Sequence, residues 1–351
     1  MNSVRVATDP PYEVRIGRGL LREVVSQTAR FSARAVLTDE VVGPLYLARL
    51  EGLTARAHAV PAGEGSKRFA VLERVLDFMA ASDLDRGACL VALGGGVVGD
   101  LGGLAASLYM RGIAFAQVPT TLLAQVDASV GGKTAVDLAA GKNLAGTFHQ
   151  PAVVLADTDT LATLPDVEFR SGLGEVVKSA LLDGDAALAA LEGAVPALLA
   201  RDPDVLADVV ARCVRTKAAI VARDPGEHGE RKILNLGHTF AHAIERAAGY
   251  GAVPHGLAVA TGLALALRAS ERAGILADAA LPGRIDRLLR GLALPHDLVA
   301  LRAAYPAVPD EARIAAAMRH DKKGVAGRPR FVLPKRAGAI EIDVELASPW
   351  T

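Results

Sequence analysis

Apolar residues along roughly the first 160 positions follow two alternating patterns. Short runs that are continuously apolar or strictly alternating predict β-strands at 12–16, 33–38, 88–93, 115–119 and 153–156. Longer stretches with helical spacing predict helices at 68–82 and 98–110. Strands that alternate with helices in this way are typical of a parallel sheet covered by helices.

The pattern changes after about residue 160. Runs of helical length and spacing occupy 188–200, 205–222, 234–248, 256–273 and 280–292. Strand-like runs return at 330–333 and 340–342. The sequence therefore predicts an α/β domain over residues 1–164 and a mostly α-helical domain over residues 165–351.

Composition places the chain among globular proteins. It is 51% hydrophobic and 22% charged with a formal net charge of zero, which gives no general attraction to nucleic acid or to an anionic membrane. No apolar run reaches the ~18 residues of a membrane helix, and the first residues lack a secretory core. We expect Cys89 and Cys213 to be buried small hydrophobes, which fits a reducing compartment.

A glycine-rich loop at 94–100 lies between a predicted strand and a predicted helix. Its glycines let backbone N–H groups approach a diphosphate, whose charge the helix N-terminus favours. Gly94, Gly96 and Gly99 match the spacing GxGxxG, but the acidic residue expected about 20 positions later is missing. The loop alone therefore supports an ordinary dinucleotide fold poorly, and a tight strand-to-helix turn is the alternative.

Basic residues among glycines follow this loop. Lys133 and Lys142 each adjoin glycines, which favours backbone and ammonium contacts to an anion. Residues 131–134 resemble the end of a Walker A loop, but Asp127 stands where its first glycine should be, which argues against ATP. Arg111 is isolated in an apolar context and serves either an anion or a helix end. The alternative for each lysine is a solvated surface charge.

Histidines are the most informative feature of the second half. His238 and His242 are one helical turn apart and face the same way, and Asn235 precedes them by one turn. His255 stands at a Pro/Gly turn, and Glu175 is a further candidate ligand. Three such ligands with an open position are the arrangement of catalytic zinc. The alternatives are an incidental histidine pair and an exposed helical glutamate.

Separate motifs from about residue 61 to residue 333 resemble the 3-dehydroquinate synthase family in order and spacing. They are GGGVVGD at 94–100, YMRG at 109–112, QVPTTLLAQVD at 117–127, GGKT at 131–134, GKN at 141–143, GEVVK at 174–178 and NLGHT at 235–239. The resemblance implies an α/β domain for NAD and a helical domain for Zn²⁺ or Co²⁺.

The same resemblance implies a lyase of the shikimate pathway, which leads to chorismate and the aromatic amino acids. Its reaction converts 3-deoxy-D-arabino-heptulosonate 7-phosphate (DAHP) to 3-dehydroquinate and phosphate. The implied steps are transient oxidation by NAD, phosphate elimination, re-reduction and intramolecular aldol closure. Family members are typically cytoplasmic homodimers.

Carried over motif by motif, the implied metal ligands are Glu175, His238 and His255. This assignment moves His242 from metal binding to proton transfer beside the phosphate. Glu227 matches the family's other acid/base position.

Substrate contacts follow from the same comparison of motifs. Lys217 and Arg231 are expected to bind the substrate carboxylate, and Arg111 is expected to reach the site of the partner subunit. The residues expected at the phosphate and the hydroxyls are Lys133, Asn143, Asn235, Asp127 and Lys178. One lysine of the pair Lys322 and Lys323 is expected to enter the site.

The implied NAD contacts lie on several loops of the first domain. They are Asp39, Glu64, Lys67, Gly95, Gly96, Val97, Asp100, Thr120, Thr121, Lys142, Thr160, Leu161, Ala162 and Thr163. Two stretches depart from the family pattern, Ser179-Ala180 and residues 137–140. These departures bear on the identity of the substrate and not on the fold.

Other sugar phosphate cyclases, such as aminodehydroquinate synthase, are the nearest alternative. Lys217 with Arg231 argues for a substrate that carries a carboxylate, which glucose 6-phosphate and sedoheptulose 7-phosphate lack. Aminodehydroquinate synthase is not separated by this argument. An oxidoreductase of the glycerol dehydrogenase type is a second alternative, against which the lysines at the phosphate argue.

Overall fold

The computed structural model describes residues 1–50, 52–53, 56–318, 329–346, 348 and 350. Contacts between residues divide the chain into two compact units. The first unit combines Met1–Leu164 with Pro203–Gly226, and the second combines Pro165–Asp202 with Glu227–Thr351.

Buried apolar runs of the first unit form a mostly parallel sheet. The strands of this unit are β1 (Asn2–Val6), β2 (Tyr12–Gly17), β3 (Arg34–Asp39), β4 (Ala57–Val60), β5 (Cys89–Gly94), β6 (Ala114–Pro119), β7 (Lys133–Leu138), β8 (Gly141–Phe148) and β9 (Val153–Asp157). Seven of them, in the described part of the chain, lie side by side in the order β1-β2-β9-β6-β5-β3-β4. The β1–β2 pair is antiparallel and the other neighbours are parallel. The five strands predicted from the sequence are confirmed.

Helices cover this sheet and build most of the second unit. In chain order the α-helices of the described residues are α1 (Val24–Gln27), α2 (Val42–Tyr46), α3 (Phe69–Ala81), α4 (Gly96–Leu108), α5 (Asp166–Asp183), α6 (Asp185–Leu199), α7 (Pro203–Arg223), α8 (His238–Ala248), α9 (His255–Arg272), α10 (Leu281–Gly291), α11 (Leu298–Ala304) and α12 (Glu311–Met318). In the same part of the chain, none is long and apolar enough to cross a membrane.

Strand β5 shows why the sheet lies inside the first unit. All six of its residues are buried, because it is flanked by β3 and β6 and covered on both faces. On one face, Leu90 packs in a core with Val75 of α3 and Leu101 of α4. On the other face, Val91 belongs to a core with Leu21. A continuous apolar run is typical of such a strand, and it places the glycine-rich loop at the strand's carboxyl end.

The helix α7 belongs by its contacts to the first unit, where it packs against β1 and β2. This grouping differs from the single division after residue 164 that the sequence predicts. Amphipathic spacing identified the helix but carries no information about which unit its apolar face contacts.

The strands β7 and β8 form a separate antiparallel hairpin that the sequence pattern did not predict. Gly146 lies on β8, where a β-carbon would be 1.9 Å from the carbonyl oxygen of Thr134. The glycines of this region therefore allow two strands to approach, and residues 133–138 continue as a strand instead of the helix that follows a Walker A loop.

The second unit is mostly helical, as predicted, and its described residues include a hairpin of β10 (Phe331–Arg336) and β11 (Ala339–Val344). The helix α9 is buried along most of its length and contacts α5, α8, α10, α11 and β10. It therefore holds together the elements that carry the candidate metal ligands.

Candidate functional site

Three elements of the second unit bring one carboxylate and two imidazoles together. Glu175 lies on α5, and His238 and His255 are the first residues of α8 and α9. The Nε2 atoms of His238 and His255 each lie 3.4 Å from Glu175 Oε1. Ligand atoms of the three residues all lie within 4.8 Å of one another. His255 is therefore placed by a helix start and not by the turn expected from the sequence.

Each of the three residues adjoins a glycine that permits a close approach of backbones. A β-carbon on Gly174 would lie 2.0 Å from the Gly256 carbonyl oxygen. A β-carbon on Gly256 would lie 1.7 Å from the Ser171 carbonyl oxygen. Gly237 has a φ of +79°, a left-handed conformation that starts α8 directly at His238.

The donor set fits a divalent transition metal. The Glu175 side chain is 1% exposed, and its buried carboxylate faces the imidazoles of His238 and His255 and the ammonium of Lys178. A buried carboxylate is stabilised by nearby positive charge, because desolvation without compensation is costly. One carboxylate with two imidazoles is a ligand combination that Zn²⁺ accepts, with a further coordination position left for substrate.

Charges in this cluster shift the pKa values of its members. Lys178 Nζ lies 2.6 Å from Glu175 Oε2. Burial favours the neutral acid, but Lys178 and His238 outweigh it and hold the pKa of Glu175 well below its usual range. Burial and Lys178 lower the pKa of His238. Glu175 therefore carries the negative charge that a cation needs, and His238 is a neutral imidazole near neutral pH.

His255 behaves differently because it lies between two carboxylates. Burial would lower its pKa, but the charge of Glu245 and hydrogen bonds to Glu175 and Glu245 raise it to about 10. Its Nδ1 atom lies 3.2 Å from Glu245 Oε2. A metal that binds His255 must therefore displace a proton from this residue.

His242 lies beside the group of Glu175, His238 and His255. Its ring centroid is 5.4 Å from that of His238 and 6.1 Å from that of His255. It forms a second group of potential donors with Glu245 and His255. The four-residue spacing thus brings His238 and His242 together, while only His238 belongs to the group around Glu175.

Asn235 is not on the same helix as the histidines, so that expectation was wrong. A 3₁₀ turn spans Glu230–Asn235 and ends before Gly237, whose left-handed backbone separates it from α8. Asn235 Nδ2 donates a hydrogen bond to Glu227 Oε1 at 2.9 Å. Arg231, on the same turn, is fully buried. The second unit therefore pairs two of the predicted substrate residues and buries a third.

The glycine-rich loop of the first unit joins β5 to α4. Gly95 precedes the first residue of α4, Gly96, and Val97 is in the first turn. Thr120 donates its backbone N–H to the Gly94 carbonyl at 2.9 Å, and its Oγ1 is buried with no hydrogen-bond partner among the described residues. The loop is a tight strand-to-helix turn that forms the N-terminus of α4, and it has an unsatisfied hydroxyl beside it. These features fit a dinucleotide diphosphate.

A charged network lies near this loop. Lys67 is 3% exposed and its Nζ donates to Asp100 Oδ2 at 2.7 Å and to Asn143 Oδ1. Glu64 Oε1 lies 3.9 Å from Lys67 Nζ and 3.5 Å from Lys142 Nζ. Burial alone would lower the pKa of Lys67, but the carboxylates of Asp100 and Glu64 raise it. Five of the predicted site residues therefore form one network.

Other predicted residues of the first unit lie on three further elements. Asp39 Oδ1 accepts the backbone N–H groups of Val41 and Val42 at the start of α2. Tyr46 Oη donates to the Thr160 carbonyl at 3.1 Å and also contacts Thr163 Oγ1. Leu161 and Ala162 lie in the same 3₁₀ turn, Thr158–Thr163, and Thr121 Oγ1 accepts the backbone N–H of Ala124 at 3.1 Å.

Lys217 is fixed against Asp127 within the first unit. Its Nζ lies 2.9 Å from Asp127 Oδ1 and donates to the Asp127 carbonyl at 2.7 Å. Lys133 and Arg111 are exposed in this structure. Lys322 and Lys323 lie outside the described residues.

Backbone strain coincides with three of the predicted residues. Arg111, Asn143 and Glu227 have φ angles of +66°, +53° and +60°. Non-glycine residues in this left-handed region cost of order 1–3 kcal/mol, and such residues concentrate at binding and catalytic sites. Their conformations support a functional role for these positions.

Sequence reasoning missed Glu245 as a site residue. Its side chain is 3% exposed and faces His255. The spacing could have indicated it, because Glu245 follows His238 by seven residues and therefore lies on the same helix face two turns later.

Fold and site together define a class of protein in which an α/β unit with a dinucleotide-type loop is joined to a helical unit with a metal donor set. Sequence profiles described as 3-dehydroquinate synthase N-terminal and C-terminal match residues 57–171 and 172–324. The 3-dehydroquinate synthase of Cereibacter sphaeroides is 46% identical over 338 residues, covering 93% of this chain and 90% of that protein. The chain belongs to the 3-dehydroquinate synthase family.

Solved structures of sugar phosphate cyclases share the fold. The 2-epi-5-epi-valiolone synthase of Streptomyces hygroscopicus, with NAD⁺ and Zn²⁺ bound, is 31% identical with a TM-score of 0.84. A 2-deoxy-scyllo-inosose synthase complexed with carbaglucose-6-phosphate, NAD⁺ and Co²⁺ is 25% identical with a TM-score of 0.81. Each comparison covers 97% of this chain and 94% of the other.

Proposed function

We propose that the protein converts DAHP to 3-dehydroquinate and inorganic phosphate, the lyase reaction of the shikimate pathway. The observation that carries this proposal is the donor set of Glu175, His238 and His255 in a chain of the 3-dehydroquinate synthase family.

Zn²⁺ or Co²⁺ is the proposed ion at Glu175, His238 and His255. NAD is the proposed nucleotide at the glycine-rich loop, with the Lys67–Asp100 network and the turn Thr158–Thr163 as further contacts. When bound, the ion supplies Lewis-acid polarisation of a substrate hydroxyl and the nucleotide supplies a reversible hydride acceptor.

The chain's own residues bind and orient the substrate. Lys217 and Arg231 are proposed to bind its carboxylate, and the ammonium of Lys217 is already oriented by two oxygens of Asp127. A cation held in place loses little entropy when the carboxylate arrives, so the bound orientation is favoured.

Phosphate and proton transfer are assigned to a second set of residues. Lys133, Asn143, Asn235 and His242 are proposed to bind the phosphate by hydrogen bonds from charged or amide groups. Asn235 holds the carboxylate of Glu227 in one orientation through the 2.9 Å hydrogen bond. Glu227 and His242 are the proposed acid and base, while Asp127 and Lys178 are proposed to contact substrate hydroxyls.

We also propose a cytoplasmic homodimer in which Arg111 reaches the partner's site. The exposed side chains of Leu108, Met110 and Phe148 support this assembly, because they are 46%, 44% and 52% exposed. Leu108 and Met110 lie at the turn Tyr109–Arg111, and Phe148 lies on β8. Apolar side chains left exposed in one region are typical of a protein interface.

A different sugar phosphate cyclase activity is the second candidate, favoured by the 31% identity to a 2-epi-5-epi-valiolone synthase. The two candidates differ in the substrate, because sedoheptulose 7-phosphate has no carboxylate for Lys217 and Arg231. A net alcohol oxidation is a further candidate that the phosphate-side lysines do not favour.

Release of inorganic phosphate distinguishes these candidates. Purified protein with Zn²⁺ and NAD is incubated separately with DAHP, sedoheptulose 7-phosphate and glucose 6-phosphate. Phosphate release from DAHP about 10–100-fold faster than from either of the others is expected, since a substrate without the carboxylate forgoes a charged hydrogen bond of about 1.5–3 kcal/mol. Faster release from a sugar phosphate without a carboxylate would overturn the proposal.

A further inference from the structure

Glu245 lies in the interior of the second unit with its carboxylate directed at His255. The side chain is 3% exposed, and its Oε2 lies 3.2 Å from His255 Nδ1. The other ring nitrogen of His255, Nε2, lies 3.4 Å from Glu175 Oε1. The imidazole therefore lies between two buried carboxylates, one at each nitrogen.

In a neutral imidazole, one ring nitrogen carries a proton and the other carries a lone pair. When Nδ1 carries the proton, its N–H group donates a hydrogen bond to Glu245. The lone pair of Nε2 is then directed toward the other two proposed metal ligands, Glu175 and His238. His238 has the same arrangement, since its Nδ1 lies 3.2 Å from the Leu236 carbonyl oxygen and its Nε2 faces Glu175. Both histidines thus have an acceptor behind the nitrogen that faces away from Glu175.

We propose that Glu245 is the positioning residue of the metal site: its carboxylate holds Nδ1–H of His255 and thereby fixes the ring with Nε2 toward the ion. An outer acceptor of this kind sets the tautomer and the orientation of a ligating histidine and increases its basicity. The inference rests on the proposed function, because it presupposes a divalent ion at Glu175, His238 and His255.

The acceptor of His238 is a backbone carbonyl, so the side chain of Glu245 is the partner that can be tested by substitution. Glu245→Ala removes the acceptor, and Glu245→Gln keeps an acceptor oxygen while removing the charge. Ser270→Ala is the matched control. Ser270 is fully buried on the same helix as His255, about 22 Å further along at the helical rise, and donates one hydrogen bond to the Pro334 carbonyl.

The experiment measures the zinc dissociation constant of each metal-free protein by competition with a chromogenic chelator, with Glu175→Ala included. Glu245→Ala is expected to weaken zinc binding by about 10–100-fold. Glu245→Gln is expected to recover part of that loss, and Ser270→Ala is expected to bind within about twofold of the unmodified protein. The visible absorption spectrum of bound Co²⁺ is expected to change in Glu245→Ala and not in Ser270→Ala, because ligand geometry determines that spectrum.

Three results would overturn the inference: zinc binding by Glu245→Ala within about twofold of the unmodified protein, no recovery in Glu245→Gln, or an equal loss in Ser270→Ala. The Glu175→Ala variant separates this failure from failure of the proposed function. If Glu175→Ala still binds stoichiometric zinc, the metal site itself is wrong. If it loses zinc while Glu245→Ala does not, the role of Glu245 alone is wrong.

Discussion

Gly174 and Gly256 pack with their backbones in contact, so that a β-carbon on Gly174 would lie 2.0 Å from the Gly256 carbonyl oxygen. Each glycine adjoins a proposed metal ligand, Glu175 on α5 and His255 on α9. The separation of the two helices therefore sets the distance between the two ligands.

Gly256→Ala is expected to disturb fold and metal binding together. The added β-carbon would meet the Ser171 carbonyl oxygen at 1.7 Å, which backbone movement must relieve at a cost of about 3 kcal/mol or more. We expect the midpoint of thermal unfolding to fall by about 5 °C or more and zinc affinity to fall with it.

Gly193→Ala is the control for that substitution. Gly193 lies on α6 with open space where a β-carbon would be, so alanine should leave the midpoint unchanged or raise it slightly. A Gly256→Ala protein with the midpoint and zinc affinity of the unmodified protein would show that α5 and α9 are not held by this contact.

His238→Ala and His242→Ala are expected to separate metal binding from catalysis. His238 Nε2 faces Glu175, so its loss should remove stoichiometric zinc, measured by atomic absorption after dialysis. His242 lies outside that group, so its alanine variant should retain zinc and lose about 10²-fold or more in turnover. Loss of zinc in His242→Ala with retention in His238→Ala would assign the ion to the group of His242, Glu245 and His255 instead.

Asp100→Asn is expected to destabilise the first unit and to weaken NAD binding. It removes the closest carboxylate from the ammonium of Lys67, which is 3% exposed. Breaking a buried ion pair is costly, but Asn143 and Glu64 remain close to the Lys67 ammonium. The free energy of unfolding should therefore fall by about 1–3 kcal/mol. Asp286→Asn makes the same chemical change in an exposed pair with Arg290 and should cost less than about 1 kcal/mol. Equal shifts in the thermal midpoints of the two variants would contradict this account.

Lys217→Met is expected to raise KM for DAHP. The ammonium is held by Asp127 and is 11% exposed in its side chain, and a charged hydrogen bond to the substrate carboxylate contributes about 1.5–3 kcal/mol. This corresponds to about 10–100-fold in kcat/KM. Lys335→Met, at a lysine whose side chain is 51% exposed and paired with Glu341, is the control. Steady-state kinetics that are the same for both variants would remove Lys217 from the site.

Short continuous apolar runs predicted the buried sheet well, because central strands such as β5 are buried at every position. The hydrophobic pattern missed α5, because this helix is buried on nearly all sides from Phe169 to Leu182. A helix without a polar face has no amphipathic period to detect.

Local backbone conformation limited the prediction around the histidines. Spacing alone extends one helix over 234–248, but Gly237 adopts a left-handed conformation and ends that continuity. Asn235 consequently lies on a separate turn and bonds to Glu227. A glycine permits this interruption without requiring it, so the pattern could not decide between the two.

The meeting of Glu175 with His238 and His255 was indicated by motif resemblance and not by spacing, since the three residues lie on different elements. Only the packing of α5, α8 and α9 brings their ligand atoms within 4.8 Å. Glu245 was missed because its importance depends on the position of His255, which belongs to the next helix.

Product analysis with a limiting amount of nucleotide tests the central claim most directly. Purified protein loaded with Zn²⁺ is given excess DAHP and a single equivalent of NAD, and phosphate, 3-dehydroquinate and NADH are measured together. We expect equal amounts of phosphate and 3-dehydroquinate, many turnovers for each NAD and no accumulation of NADH. Accumulation of NADH in proportion to an oxidised product, or DAHP that releases no phosphate, would contradict the account.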